Sequence, residues 1–212
     1  MKKSKLLLSL LAILLCFGAS AQKMRIGSII VDGGFNYCLY NGSATNMCAL
    51  TTSSGSMQGF EYTLTGDIVV LDYVTLDADL GANLLTGGTG IDAGVGFQYH
   101  FHSKKKPLRW DFFIGGNAGY THLTYTGGLM TTSGTFNAAG LYYQVGGGVR
   151  KYLIHNVGLF VTVNYGGHHY SGGETTENEG LKIPYTIGFS GFTFGGGICV
   201  KLKGNHHPLI DP

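Results

Sequence analysis

The stretch Thr89–His102, TGIDAGVGFQYHFH, decides the fold. With Gly88 in front of it, the chain reads GTGIDA, which spells the G-x-G-x-x-G/A pattern of a dinucleotide-binding turn. That pattern has chemical meaning only where a strand ends, a tight turn follows and a helix begins, so that a pyrophosphate can rest on the helix N-terminus. Here no helix can follow. Ile91, Ala93, Val95, Phe97, Tyr99 and Phe101 alternate with Asp92, Gly94, Gly96, Gln98, His100 and His102. A period of two puts the first set on one face of an extended strand and the second on the other, whereas a helix would scatter both.

The same alternation recurs along the chain. Trp110, Phe112 and Ile114 share a face, as do Leu141, Tyr143 and Val145, then Leu159, Val161 and Val163, and finally Phe192, Phe194, Ile198 and Val200. Val74, Leu76, Leu80 and Leu84 form an earlier face, preceded by less regular runs around Ile29–Leu39 and Phe60–Ile68. Eight strands are predicted, at 25–40, 57–69, 74–85, 89–102, 110–126, 135–152, 157–171 and 184–202. The last changes parity around Ser190-Gly191, which predicts a bulge or a late start there. Short connections near 70–73, 103–109 and 153–156 alternate with longer polar segments at 41–56, 127–134 and 172–183, the 86–88 connection being a short exception.

The chain opens MKKSKLLLSLLAILLCFGASAQ, with three lysines, an apolar run and Ala19-Ser20-Ala21 before Gln22, which predicts a signal peptide over residues 1–21. A lipoprotein signal ending at Cys16 is the rival, but Leu15 stands where a small residue is needed. Without Lys2, Lys3 and Lys5, the 14 basic residues fall to 11 against 12 acidic ones, so the formal charge moves from +2 to −1. Nothing in that balance favours nucleic acid as a partner. Of the three cysteines left, Cys38 and Cys48 bracket a polar segment that a disulfide could staple; three free thiols are the alternative.

Two architectures alternate like this. A soluble barrel turns its apolar face inward and its polar face to water, while a membrane barrel does the reverse. Ordinary strands run about 5 or 6 residues, and a strand that crosses a bilayer needs about 9 to 11. The faces here are of the longer kind, and the face opposite the apolar one is mostly glycine with scattered Asp, Asn, Gln, Arg and His. Such a face suits the narrow interior of an eight-stranded barrel better than bulk water. Tyr40, Phe60, Tyr62, Tyr99, Phe101, Trp110, Phe112, Tyr125, Tyr142, Tyr143, Tyr152, Tyr165 and Tyr170 fall near strand ends, where interfacial girdles would lie. The predicted fold is an all-β, eight-stranded antiparallel transmembrane up-and-down barrel over residues 22–203, with a tail at 204–212.

On the mature start at Gln22, the strands GVGFQYHF and VGGGVRKY and the strand count, the chain resembles the small outer-membrane β-barrel proteins of the outer membrane protein A transmembrane-domain type, in the variety common in Bacteroidota. The ending GICVKL is similar to the barrel-assembly signal of a final strand, though it lacks a terminal aromatic and is followed by GNHHPLIDP. The resemblance implies the outer membrane of a Gram-negative bacterium, outer-membrane lipids and the barrel-assembly machinery as partners, and a porin-like architecture.

Candidate chemistry is sparse. The interior parity collects Asp32, Glu61, Asp67, Asp77, Asp79, Asp92 and Asp111 with Arg150, His100, His102 and Lys201. Charges in a narrow lumen are costly unless paired, so a hydrogen-bonded plug is expected; a narrow cation-favouring path is the alternative. His100, His102 and Asp111 could approach a metal across a short turn, but no third His or Cys supports one. The segment HHYSGGE, His168–Glu174, contains His169-x-Ser171, the spacing used by lipid A 3-O-deacylases, with both side chains on the lipid-facing parity and Glu174 in the following loop. No catalytic, cofactor or metal site is assigned on these grounds. The expectation is a non-enzymatic barrel that acts structurally or through segments 41–56, 127–134 and 172–183 on a surface partner or glycan. A lipid A-modifying hydrolase using His169 and Ser171, or a secreted ligand-binding barrel, are the alternatives.

Overall fold

The computed structural model describes residues 26–46, 51–86, 88–101, 110–126, 134–153, 156–176 and 182–202. Eight antiparallel strands follow in chain order: β1 Ile29–Asn46, β2 Thr51–Leu71, β3 Val74–Leu85, β4 Gly88–Phe101, β5 Trp110–Thr126, β6 Gly134–Tyr152, β7 Val157–Thr176 and β8 Lys182–Leu202. Each pairs with the next, and β8 pairs with β1, so the sheet closes into a barrel. Closure leaves no edge whose amides would have to face hydrocarbon unpaired.

The register sets the geometry. One row of partners runs from Ile29 through Ile68, Leu76, Phe97, Gly116, Val145, Tyr165 and Phe192 and returns to β1 at Leu39, ten residues further on. A stagger of that kind tilts the strands by roughly 35 to 45°, and eight of them enclose a bore that side chains can nearly fill. Little room remains for bulk inside. A Cβ on Gly94 would collide with the Tyr142 hydroxyl, and one on Gly96 with the Asp77 carboxylate and the backbone of Gly116. The glycines that mimic a nucleotide motif are therefore the places where the wall of β4 yields space to the lumen.

The apolar parity faces outward. Leu64, Leu80, Val95, Ile114, Val145, Val161 and Ile198 are all more than half exposed, as a belt that meets acyl chains must be. At the end that holds Ile29 and Leu202 the belt is bounded by Tyr73, Tyr99, Phe101, Trp110 and Phe112, with the Lys151 ammonium 4.8 Å above the Trp110 ring. Toward the other end it is bounded by Phe35, Phe60, Tyr62, Tyr165 and Phe192.

Beyond that second band the strands continue and their faces exchange chemistry. On β8, Phe192 and Phe194 are exposed, whereas Tyr185, Ile187 and Phe189 are buried in the bore. On β7, Val163 and Tyr165 face out, but past them His168 and Tyr170 are buried and the exposed positions are His169 and Ser171. On β1 the exposed Phe35 and Leu39 give way to exposed Asn41 and Ser43, with Tyr40 and Ala44 inside. The barrel thus has two storeys: one apolar outside and polar inside, matched to a bilayer, and above it one polar outside and apolar inside, matched to water.

This arrangement corrects three expectations. The polar segments 41–56 and 172–183 are mainly extensions of β1, β2, β7 and β8, with only 47–50 and 177–181 outside the described residues; Gly134 likewise begins β6, and 127–133 lies outside them. These stretches have strand chemistry once their outer face meets water, which makes Ser, Thr and Asn as suitable as Val. Tyr40, Tyr142, Tyr152 and Tyr170 are buried inside the barrel and Tyr125 packs against the inner cluster, so none of the five belongs to a girdle. No bulge marks Ser190-Gly191: β8 pairs without a break to both neighbours, and the apparent change of parity is the exchange of storeys. The register does shift between Val69 and Leu71 in β2. Cys38 is a buried free thiol, so it forms no bridge to Cys48, which lies outside the described residues. Residues 1–25, including the expected signal peptide and Cys16, and the tail at 203–212 also lie outside them.

The two storeys differ in what they tolerate. Val95→Arg, in the belt, should destabilise the barrel by about 2 to 4 kcal/mol, while Thr89→Arg, exposed higher on the same strand, should cost about 0 to 1 kcal/mol. Urea titration in lipid vesicles, read by the heat-modifiable gel band, measures both; equal costs would contradict the two-storey assignment.

Candidate functional site

The lumen gathers the ionisable side chains at three levels. The lowest is organised by Arg150, fully buried on β6. Its Nε and Nη2 donate to Asp32 Oδ2 at 2.9 and 2.5 Å, Nη2 also reaches Asp67 Oδ2 at 2.6 Å and Gln98 Oε1 at 3.0 Å, and Nη1 reaches Asp111 Oδ2 at 3.4 Å. The guanidinium lies 4.2 Å from the centre of the Phe113 ring. Four strands besides β6 thus converge on one cation: β1, β2, β4 and β5. His100 on β4 meets Asp111 across the β4–β5 connection through Nδ1 at 2.9 Å, and Thr75 through Nε2 at 3.1 Å. His102 lies outside the described residues.

The upper level is aromatic. His168 Nε2 is 3.0 Å from Asp92 Oδ2, and Asp92 also accepts from Asn83 and from Thr121. The imidazole stacks on Tyr142 and Tyr170 at 5.8 Å and sits 5.1 Å from Phe189 and 5.5 Å from Tyr40. Tyr142 donates down to Asp79, and Tyr170 meets Thr121 at 3.0 Å. Leu85, Leu123, Ala138, Tyr185 and Ile187 complete this ceiling.

Between floor and ceiling lies a polar cavity of about 90 Å³, bounded by Asp32, Glu61, Asp77, Asp79, Gln98 and Asn117 among others. The expected hydrogen-bonded plug is therefore a floor and a lid with space between them. Among the described residues no three His, Cys, Asp or Glu side chains converge closely enough to chelate a metal ion.

His169 and Ser171 both project outward from β7 and are exposed, but above the apolar belt and not toward lipid as expected. Two residues apart on a strand, their Cα atoms are separated by about 6.7 Å along it, and among the described residues no hydrogen bond joins their side chains. Glu174 belongs to β7, not to a following loop; its side chain lies outside the described residues. The pair sits in the upper storey, past the belt that ends near Tyr165.

The fold is that of a small eight-stranded outer-membrane β-barrel. The outer membrane protein OprG of Pseudomonas aeruginosa superposes with a TM-score of 0.55 at 12% identity, over 87% of this chain and 99% of that one. The outer membrane protein AlkL, determined in lipid bilayers, gives 0.52 at 15% identity, over 92% of this chain and 98% of that one. Neisserial surface protein A aligns at 14% identity over 83% of this chain and 99% of that one, with a TM-score of 0.45. No family model matches the chain, and no curated protein sequence does. Belt and fold together place the chain in the outer membrane, and the storey that rises beyond the belt is its extracellular side, opposite the end holding Ile29 and Leu202.

Sequence parity had placed Arg150 and all seven acids inside, and they are there. It had overlooked His168, whose even position on β7 puts it opposite Val161, Val163 and Tyr165. The same rule places Tyr40, Tyr142 and Tyr170 inside with it.

Removing the floor's cation should be severe. Arg150→Met leaves Asp32, Asp67 and Asp111 facing one another and should cost about 3 to 5 kcal/mol, the usual penalty for breaking a buried ion pair from one side. Urea unfolding of the refolded variant measures it; a loss below about 1 kcal/mol, the scale of an exposed pair, would contradict the role assigned to Arg150.

Proposed function

We propose that the protein is a non-enzymatic, non-conducting outer-membrane barrel that acts as a structural element and through its projecting outer storey. The observation that carries this reading is the double obstruction of the bore, by the Arg150 ion-pair floor and by the ceiling of Tyr40, Tyr142, His168, Tyr170 and Phe189. A path for ions would need both to part, and each is held by buried hydrogen bonds from several strands.

Above the membrane, the tall walls of β1–β2 and β7–β8 present Asn41, Ser43, Thr52, Ser54, Ser56, Gln58, His169 and Ser171 to water. Side chains rich in hydroxyls and amides suit a glycan or a polar protein surface. This replaces a partner surface on flexible loops by one on paired strands, which hold their groups at fixed spacing. The hydrolase alternative draws no support from His169 and Ser171, whose side chains share no hydrogen bond among the described residues.

Planar-bilayer recordings of the refolded protein should show no conductance steps, and overproduction should leave the mass of lipid A unchanged in both the wild type and Ser171→Ala. Single-channel steps in the wild type would overturn the non-conducting reading. A loss of acyl chain mass that Ser171→Ala abolishes would replace it with the hydrolase.

A further inference from the structure

Among the described residues, the carboxylates around the central cavity outnumber the cations bonded to them. Seven carboxylates are buried there, and Arg150 reaches three of them, Asp32, Asp67 and Asp111. His168 faces Asp92 and His100 faces Asp111. Glu61, Asp77 and Asp79 have neutral donors: Asn36 for Glu61 at 2.9 Å, Gln98 for Asp77 at 3.5 Å, and Tyr142 and Asn117 for Asp79. All three line the same central cavity. An uncompensated buried charge costs several kcal/mol, so three beside one small space are a strong demand for positive charge.

The hydrogen-bond ledger of the cavity makes the same demand independently. Asp32 Oδ1, Asp77 Oδ1 and Asn117 Oδ1 are buried and accept from nothing among the described residues. Asp32 is 6% exposed and Asp77 8%, and all three residues line the cavity. Every orphaned atom there is an acceptor. Neutral water alone would satisfy them by donating, but would leave the charge where it is.

We propose that the lumenal cavity holds one alkali cation, Na⁺ or K⁺, together with part of its hydration shell. The cation neutralises charge shared by Asp77, Asp79 and Glu61, while its waters, polarised by the ion, donate to the free oxygens of Asp32, Asp77 and Asn117. The volume suits this occupant, since one water needs about 10 to 15 Å³ of space for its centre and the cavity offers about 90 Å³ in that measure. Among the described residues the carboxylates do not converge as a chelating set, so the ion is held through its waters. The floor and ceiling that block conduction make the ion a resident of the barrel instead of a passenger, and the site does not depend on what the outer storey binds.

The test uses the full refolded protein in detergent, unfolded by heat at equal ionic strength in the chlorides of sodium, potassium and N-methylglucamine, the last being too large to enter. Sodium or potassium should raise the midpoint by about 3 to 6 °C over N-methylglucamine, and the Asp77→Asn/Asp79→Asn variant should lose that difference. Crystals soaked in a thallous salt should give an anomalous peak among Asp32, Asp77 and Asp79. Both wild-type measurements stand even if the double variant fails to fold. Identical midpoints in the three salts, or a cavity without thallous density, would overturn the proposal and leave the carboxylates protonated and hydrated.

Discussion

Everything in this molecule depends on the seam between β1 and β8. A strand pair in water can fray at its edge, but an edge within hydrocarbon leaves a row of amides and carbonyls with no partner at all. Residues 29–46 of β1 meet residues 185–202 of β8 without interruption, and that continuity fixes the stagger of ten residues around the ring. Once strand number and stagger are set, the bore is set too, and the rest follows from how little it can hold. Glycine must line it where Tyr142 crosses, at Gly94, and every large polar side chain that enters must find its partner within reach.

That constraint explains how a membrane barrel can have two interiors. Within the bilayer the outside has to be apolar, so the polar side chains of each strand fall inside, where they assemble around Arg150 and beneath Tyr142. Past the outer aromatic band the outside meets water, and the hydrophobic effect drives Tyr185, Ile187, Phe189, Leu123 and Leu85 inward as in any soluble β-barrel. The side-chain parity never changes along β8; only the solvent does. His168 sits at the boundary, bonded to Asp92 on one side and stacked between tyrosines.

The membrane storey was legible in the sequence because its alternation is strict. Residues 91–102 exclude a helix by period, and the glycine-rich face opposite Val95 and Phe97 excludes an ordinary solvated surface. The upper storey was harder to read, since Ser, Thr, Asn and Gly at 41–56 look the same in a loop as on the wet face of a strand; only the register of β1 against β2, from Ile29–Ile68 to Asn46–Thr51, tells them apart. Parity also named the lumenal acids, but it could not pair them. Which carboxylates Arg150 reaches, and which face the cavity instead, depends on the stagger between strands distant in sequence.

The central claim, one unbroken barrel whose faces exchange chemistry at the outer membrane surface, is tested most directly along β8. Spin labels placed singly at Thr186, Gly188, Phe192, Phe194 and Ile198 in vesicles, with relaxation measured against dissolved oxygen and a water-soluble nickel chelate, report the medium each position faces. The account predicts that Phe192, Phe194 and Ile198 are accessible to oxygen and shielded from nickel, while Thr186 and Gly188 are accessible to nickel. Shielding of Phe192, Phe194 and Ile198 from oxygen, with their even-numbered face turned into the bore, would contradict it and make the chain a soluble barrel.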